Sequence, residues 1–240
     1  MELLKNPSER REPAILGSFG WLVAFLAIQF AATAAVMTGQ WLISGQPVLS
    51  SGDINFTVAI AGVLLGFLIV LAFRWGYLTS HLQLRGGINH RTVALVGLLI
   101  LFLLGAEALY ASYIIPGQDL QPEVQILYAA MNESFIGMAL VILSTVIVGP
   151  VVEEVLFRGQ LLGAIKRKMN NHGQADAIAI VLSAMAFAFI HLQPQAFPVL
   201  FLSGLAMGWL KVKTGSLTAP IAMHMLMNAI AMTMLQVSGP

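Results

Sequence analysis

The sequence predicts an all-α fold, a polytopic transmembrane helical bundle of about seven to eight helices, each as long as a bilayer requires. Three observations carry that expectation. Of 240 residues, 58% are apolar and only 10% charged, against about 45–50% and roughly 25% in an ordinary soluble domain. Eleven acids and twelve Lys/Arg cannot supply a polar skin for a soluble globule of this size. The apolar residues gather in runs near the roughly 20 residues that cross a hydrocarbon core about 30 Å thick. Finally, the basic residues fall in alternate connections, the asymmetry of a chain threaded through a bilayer. The same figures exclude disorder and a disulfide scaffold, since cysteine is absent and apolar runs are long. A formal net charge of +1 supplies no field to recruit nucleic acid, so no nucleic-acid partner is expected.

The first span is Ala14 to Met37. Arg10 and Arg11 before it and an Ala-x-Ala pattern near Ala32 resemble a secretion signal. Its apolar stretch exceeds the usual h-region of about 7–15 residues, so it reads as a retained anchor. The second and third spans are Phe56 to Tyr77 and Thr92 to Tyr113. The fourth, Phe135 to about Ile165, is longer than a crossing needs and starts in the interface or runs past the core. The fifth is Ala175 to His191. The sixth, Phe197 to Leu210, is short enough to be re-entrant or tilted, and the seventh is Leu217 to Val237. An eighth span is possible around Val124 to Met131. Gly62-x-x-x-Gly66 and Gly204-x-x-x-Gly208 are expected to serve close helix packing and nothing more. With no repeat and no long linker, residues 1–240 read as one integral membrane domain with a short charged tail over 1–12.

The charges give the expected orientation. Lys5, Arg10 and Arg11 precede the first span, and Arg74, Arg85 and Arg91 flank the second connection. Arg158, Lys166, Arg167 and Lys168 end the fourth span, and Lys211 and Lys213 follow the sixth. The opposite connections, 38–55, 114–134 and 192–196, hold Asp53, Asp119, Glu123 and Glu133 but no Lys or Arg. The positive-inside rule then puts the N-terminus in the cytoplasm and, after seven spans, the C-terminus outside. A multi-pass protein of a cell membrane is expected, and a prokaryotic plasma membrane fits.

Ionisable groups inside a bilayer cost several kcal/mol, so each is a functional-site hypothesis until a partner explains it. His81, His90 and His172 lie in connections and read as solvated. The fourth span is different: Val151-Val152-Glu153-Glu154-Val155-Leu156-Phe157-Arg158 sets two adjacent acids in an apolar helix. Glu154 and Arg158 are four apart and share a face, so they can pair. Glu153, rotated by about 100°, points elsewhere and lacks a cation. Glu154 therefore reads as structural and Glu153 as catalytic, because a carboxylate in low-dielectric surroundings is suited to general-base work. The fifth span ends Phe187-Ala188-Phe189-Ile190-His191. The seventh carries His224 and Asn228 on one face. One acid, two histidines and an asparagine have the parts for hydrolysis: a base, a water-orienting group and oxyanion donors.

Glu153-Glu154-x-x-x-Arg158, then Phe187-x-x-x-His191, then His224-x-x-x-Asn228 resemble the three motifs of the CPBP (Abi) family. That family includes the type II CAAX prenyl endopeptidases and bacterial relatives linked to bacteriocin maturation and self-immunity. The run from Thr214 to His224 resembles the family's approach to its third motif, and the likeness covers residues 149–231. The resemblance implies an intramembrane protease of glutamate type, with Glu153, His191, His224 and Asn228 catalytic. Glu153 would activate a water with His191, while His224 and Asn228 stabilise the oxyanion. Glu154, Arg158 and Phe187 would be supporting residues. Members are often called metalloproteases, and a zinc held by Glu153, His191 and His224 is the alternative to the metal-free expectation. The His-Glu-x-x-His signature is absent. The expected partners are the lipid bilayer and a peptide or membrane-protein substrate, prenylated or not.

Two other functions compete with proteolysis. One is a non-catalytic immunity or partner-binding protein on the same scaffold, and the other is a proton or ion carrier, since facing acids and imidazoles also relay protons. A difference of height stands against the convergence. Helical rise puts His191 about 24 Å above Ala175, but His224 only about 10 Å above the start of its own span. The two meet only if the fifth span starts lower, tilts strongly or breaks.

Overall fold

Every regular element described in the computed structural model is a helix, and no strand occurs among the described residues, 15–45, 56–81, 89–115, 121–169 and 173–239. The expected tail over 1–12, with Lys5, Arg10 and Arg11, lies outside those residues, as do Arg85, His172, Asp53 and Asp119. The eight helices are α1 (Ile15–Ser44), α2 (Phe56–His81), α3 (His90–Tyr113), α4 (Pro122–Glu133), α5 (Phe135–Lys168), α6 (Ala175–Ile190), α7 (Phe197–Thr214) and α8 (Thr218–Ser238). The fold is an all-α bundle of a multi-pass membrane protein.

Local chemistry sets the boundaries. Asn89 caps α3 by accepting from the Thr92 N–H at 3.0 Å, and Ser134 caps α5 by accepting from the Gly137 N–H at 3.0 Å. Pro122 opens α4, where its missing N–H costs nothing. Gly215, at φ +69°, stops α7 with its N–H on the Lys211 carbonyl. α1 runs beyond the expected Met37 to Ser44, because no proline interrupts it before Gly45 turns left-handed. Among the described residues, five helices are long and apolar enough to cross a membrane: α1, α2, α3, α5 and α8. α6 is apolar but shorter. The possible eighth span forms as α4, yet its 12 residues rise only about 18 Å, too few to cross.

Small residues fix the neighbours. Gly62 and Gly66 of α2 lie against Thr33 and Gln29 of α1, and Gly204 and Gly208 of α7 lie against Ala184 and Ile180 of α6. In both pairs the numbers run in opposite directions, so the helices are antiparallel. Both glycine motifs thus serve packing, as expected. Ties between helix ends define two faces. At one, Glu133 of α4 accepts from the Thr57 N–H and hydroxyl of α2 at 3.0 and 2.7 Å. There too, Asn132 of α4 and Gln236 of α8 exchange side-chain hydrogen bonds. At the other, Lys166 pairs with Asp176 at 2.6 Å, and the basic end of α7 with Lys211 and Lys213 lies beside the start of α6.

α5 is the central rod. Residues 155–162 are all buried, whereas an ordinary surface helix hides one stripe. Two stretches of α5, Ile142–Val148 and Val155–Leu161, are wound as π-helix and flank the α-helical turn Gly149–Glu154. π-Helical winding is rare and concentrates at functional sites. The main core joins Leu156 and Phe157 of this rod to Phe67, Ile100, Phe187 and Met223 from four helices around it.

Candidate active site

The turn of α5 between its π-helical stretches presents Glu153 and Glu154. Glu154 and Arg158 pair as their spacing predicts, Oε1 to Nη1 at 2.6 Å, and neither side chain reaches solvent. The guanidinium lies 4.2 Å from the centre of the Phe187 ring and 5.9 Å from that of Phe157, so its faces meet π-electrons as well as an anion. Its other terminal nitrogen is 3.5 Å from the Gly204 carbonyl, long for a hydrogen bond. Gly204 has no Cβ, and one built there would lie 2.9 Å from that of Ala184. The close crossing of α6 and α7 brings that carbonyl to the arginine.

Glu154 does more than neutralise Arg158. Its Oε1 is also 3.1 Å from Nδ1 of His224 on α8. An arginine that keeps its charge makes Glu154 the acceptor, which assigns the hydrogen to Nδ1 of His224. Nε2 then faces the second carboxylate, with Oε2 of Glu153 3.7 Å away. The expected rotation of Glu153 away from the Glu154 face holds, but it does not send the side chain elsewhere. A neighbouring helix sets one imidazole between the two acids, one at each ring nitrogen. Glu153 keeps 15% of its side chain exposed while Glu154 has none, so Glu153 is the more accessible acid of the two.

Phe187 ties in the remaining histidine. Its ring meets His224 edge to face at 5.7 Å between centres and His191 at 4.7 Å. Nδ1 of His191 donates to the Phe187 carbonyl at 2.7 Å, leaving Nε2 as the basic nitrogen. No hydrogen bond or ion pair among the described residues joins His191 to Glu153 or His224. Asn228, one turn above His224, donates from Nδ2 to the Thr145 carbonyl at 2.8 Å, which commits one of its two amide hydrogens. Ser183 donates to the Phe157 carbonyl at 3.0 Å and locks α6 to α5 beside the arginine.

The predicted difference of height has a physical answer. α8 starts from a buried turn: Ser216, Leu217 and Ala219 have essentially no exposure, whereas α6 starts beside the exposed Gln174. Leu217 and Ile221 pack on Val155, His224 meets Glu153 and Glu154, and Asn228 meets Thr145. α8 is thereby set in register with the middle of α5. His224 stands level with Phe187 without any break in α6.

A cavity of about 490 Å³ opens beside the histidine, walled by α3, α7 and α8, and Phe187, His224 and Asn228 line it. Glu107 of α3 lines it too. The sequence reading passed over this acid, although a carboxylate in an apolar span is the signal that singled out Glu153. His90 is exposed at the start of α3, as expected of a solvated histidine.

Among the described residues, no three His, Cys, Asp or Glu side chains are grouped so as to hold a metal ion. Glu153, His191 and His224 are not drawn together as three ligands of one ion would be, because Phe187 stands between the two imidazoles. Residues 135–230 match a family model, the type II CAAX prenyl endopeptidase Rce1-like family, which bears out the resemblance read from the motifs. No curated protein and no solved structure matches the chain.

Proposed function

We propose that this multi-pass membrane protein, similar over residues 135–230 to type II CAAX prenyl endopeptidases, is an intramembrane endopeptidase using a glutamate-activated water. One observation carries the reading. His224, on a cavity wall, is held at Nδ1 by the buried Glu154–Arg158 pair and confronted at Nε2 by the accessible Glu153. A gap of 3.7 Å is too long for a direct hydrogen bond and suits two groups that share a water.

In this mechanism Glu153 takes a proton from that water as its oxygen bonds to the carbonyl carbon of the substrate. Nε2–H of His224 and the uncommitted amide hydrogen of Asn228 donate to the oxyanion that forms. With both ring nitrogens carrying hydrogen, the imidazolium charge is balanced by the carboxylates beside it. The C–N bond then breaks, and the leaving amine takes the proton held by Glu153. Glu154 acts through His224 by fixing its ring, while Arg158 and Phe187 hold Glu154 and the ring in place. His191, with its basic Nε2, guides the incoming water. The substrate is a membrane-associated peptide or protein, and a prenylated one falls within this class. The N-terminus is cytoplasmic in a cell membrane, because the described basic ends face one way.

The deciding experiment is a cleavage assay in proteoliposomes on candidate membrane peptides. Wild type cuts, and Glu153→Ala does not. Peptide binding or bacteriocin protection that survives Glu153→Ala, without cleavage by wild type, would instead establish the non-catalytic reading. In the same assay, a strong zinc chelator changes the rate by less than about twofold, since no step passes through a metal. Complete inhibition, reversed by zinc, would sink the metal-free mechanism.

A further inference from the structure

Glu107 is an acid on the exposed side of α3, a helix long and apolar enough to cross a membrane. Among the described residues it makes neither a hydrogen bond nor an ion pair. It lines the cavity that also exposes His224 and Asn228, and no Lys or Arg lines that wall. His224, the other ionisable group there, is engaged by Glu153 and Glu154 and does not serve Glu107. A carboxylate kept within a membrane span is costly and calls for a partner. Its side chain is exposed where it lines the cavity, so a cation of whatever fills the cavity can reach it.

We propose that Glu107 is a specificity-determining residue whose carboxylate receives a Lys or Arg side chain of the peptide substrate, close to the bond that is cut. The inference rests on the peptidase reading above. A volume of about 490 Å³ admits the residues on either side of one peptide bond. Its walls include Leu104, Leu200, Met207, Met223 and Met227, which are apolar and, where Met, adaptable in shape. Those walls offer no Lys or Arg in competition, so the exposed carboxylate of Glu107 is able to receive an entering cation. The long aliphatic stem of Lys or Arg suits the same walls while its charged end reaches Glu107. A substrate with an acid at that position would meet unrelieved repulsion.

The test uses the full-length protein in proteoliposomes and membrane peptides identical except for Lys, Gln or Glu beside the cleaved bond. Cleavage is read with active protein, and peptide binding is read by fluorescence with Glu153→Gln. Wild type favours the Lys peptide over the Gln peptide by about tenfold. Glu107→Gln brings that ratio close to one, Glu107→Asp retains part of it, and Glu107→Arg turns the preference towards the Glu peptide. A role confined to helix packing would change overall rate but not the ratio. If Glu107→Gln keeps the full wild-type ratio, or if wild type cuts all three peptides alike, the inference falls and the peptidase reading stands. If wild type cuts none but binding of the Lys peptide is selective and loses that selectivity in Glu107→Gln, the peptidase reading falls and the cation site stands. If peptides are neither cut nor bound selectively, both fall.

Discussion

At the scale of single residues, Glu153 and Glu154 show how two acids adjacent in sequence come to occupy different environments. Glu154 is sealed from solvent between Arg158 and His224, whereas Glu153 remains partly accessible at the other ring nitrogen. Replacing Glu153 by Gln, nearly isosteric at a site that tolerates polarity, is expected to lower the cleavage rate at least about 100-fold. Its thermal unfolding should stay close to wild type. Unfolding many degrees lower would mean that Glu153 supports the fold rather than the chemistry. Arg158→Met should do the opposite and damage the fold. It leaves Glu154 buried without its guanidinium partner, a change that costs about 3–5 kcal/mol in comparable buried pairs. The double variant Glu154→Gln, Arg158→Met, lacking the stranded charge, should regain part of that loss in thermal unfolding. A double variant less stable than the single one would show that the pair is not the relevant unit.

At the scale of elements, the crossing of α6 and α7 decides whether the site is assembled at all. Gly204 lets the two backbones meet, with Ala184 filling the space that a side chain on Gly204 would need. Gly204→Val forces the helices apart, an overpacking expected to destabilise by about 1–3 kcal/mol. Because Phe187 and His191 ride on α6, cleavage should fall further than stability alone explains. Comparing activity at a temperature where the variant is still folded checks this, and unchanged activity there would refute it. Helix pairing of this kind was readable in the sequence, since Gly-x-x-x-Gly spacing states a local property of one helix face. The π-helical winding of α5 was not readable. Its cause lies in what packs around the rod on every side, and no pattern along one chain segment records that.

At the scale of the whole molecule, the two faces of the bundle and its orientation in the membrane belong together. The absence of cysteine makes single-cysteine labelling clean. If the N-terminus is cytoplasmic as proposed, a membrane-impermeant maleimide should label Val237→Cys, at the exposed end of α8, on intact cells. Lys213→Cys, at the basic end of α7, should label only after permeabilisation. The reverse pattern would invert the orientation and the side from which the cavity is reached. The spans show a related limit of local reading. Hydropathy located every helix to within a few residues at most ends, including the short α4. It could not say how far each helix is offset along the bundle axis, and so left His191 and His224 at different heights.

Composition, apolar run lengths and motif spacing, all properties of neighbouring residues, determined the all-α membrane fold, the Glu154–Arg158 pair and the site residues worth weighing. Tertiary packing alone decided that His224 stands between two carboxylates, Glu153 and Glu154, distant from it in sequence, that α8 begins from a buried turn, and that Glu107 lines the same cavity. Helix geometry fixes partners four residues apart whatever surrounds them. Partners on different helices depend on axial offset and rotation, which arise only when all the helices pack at once.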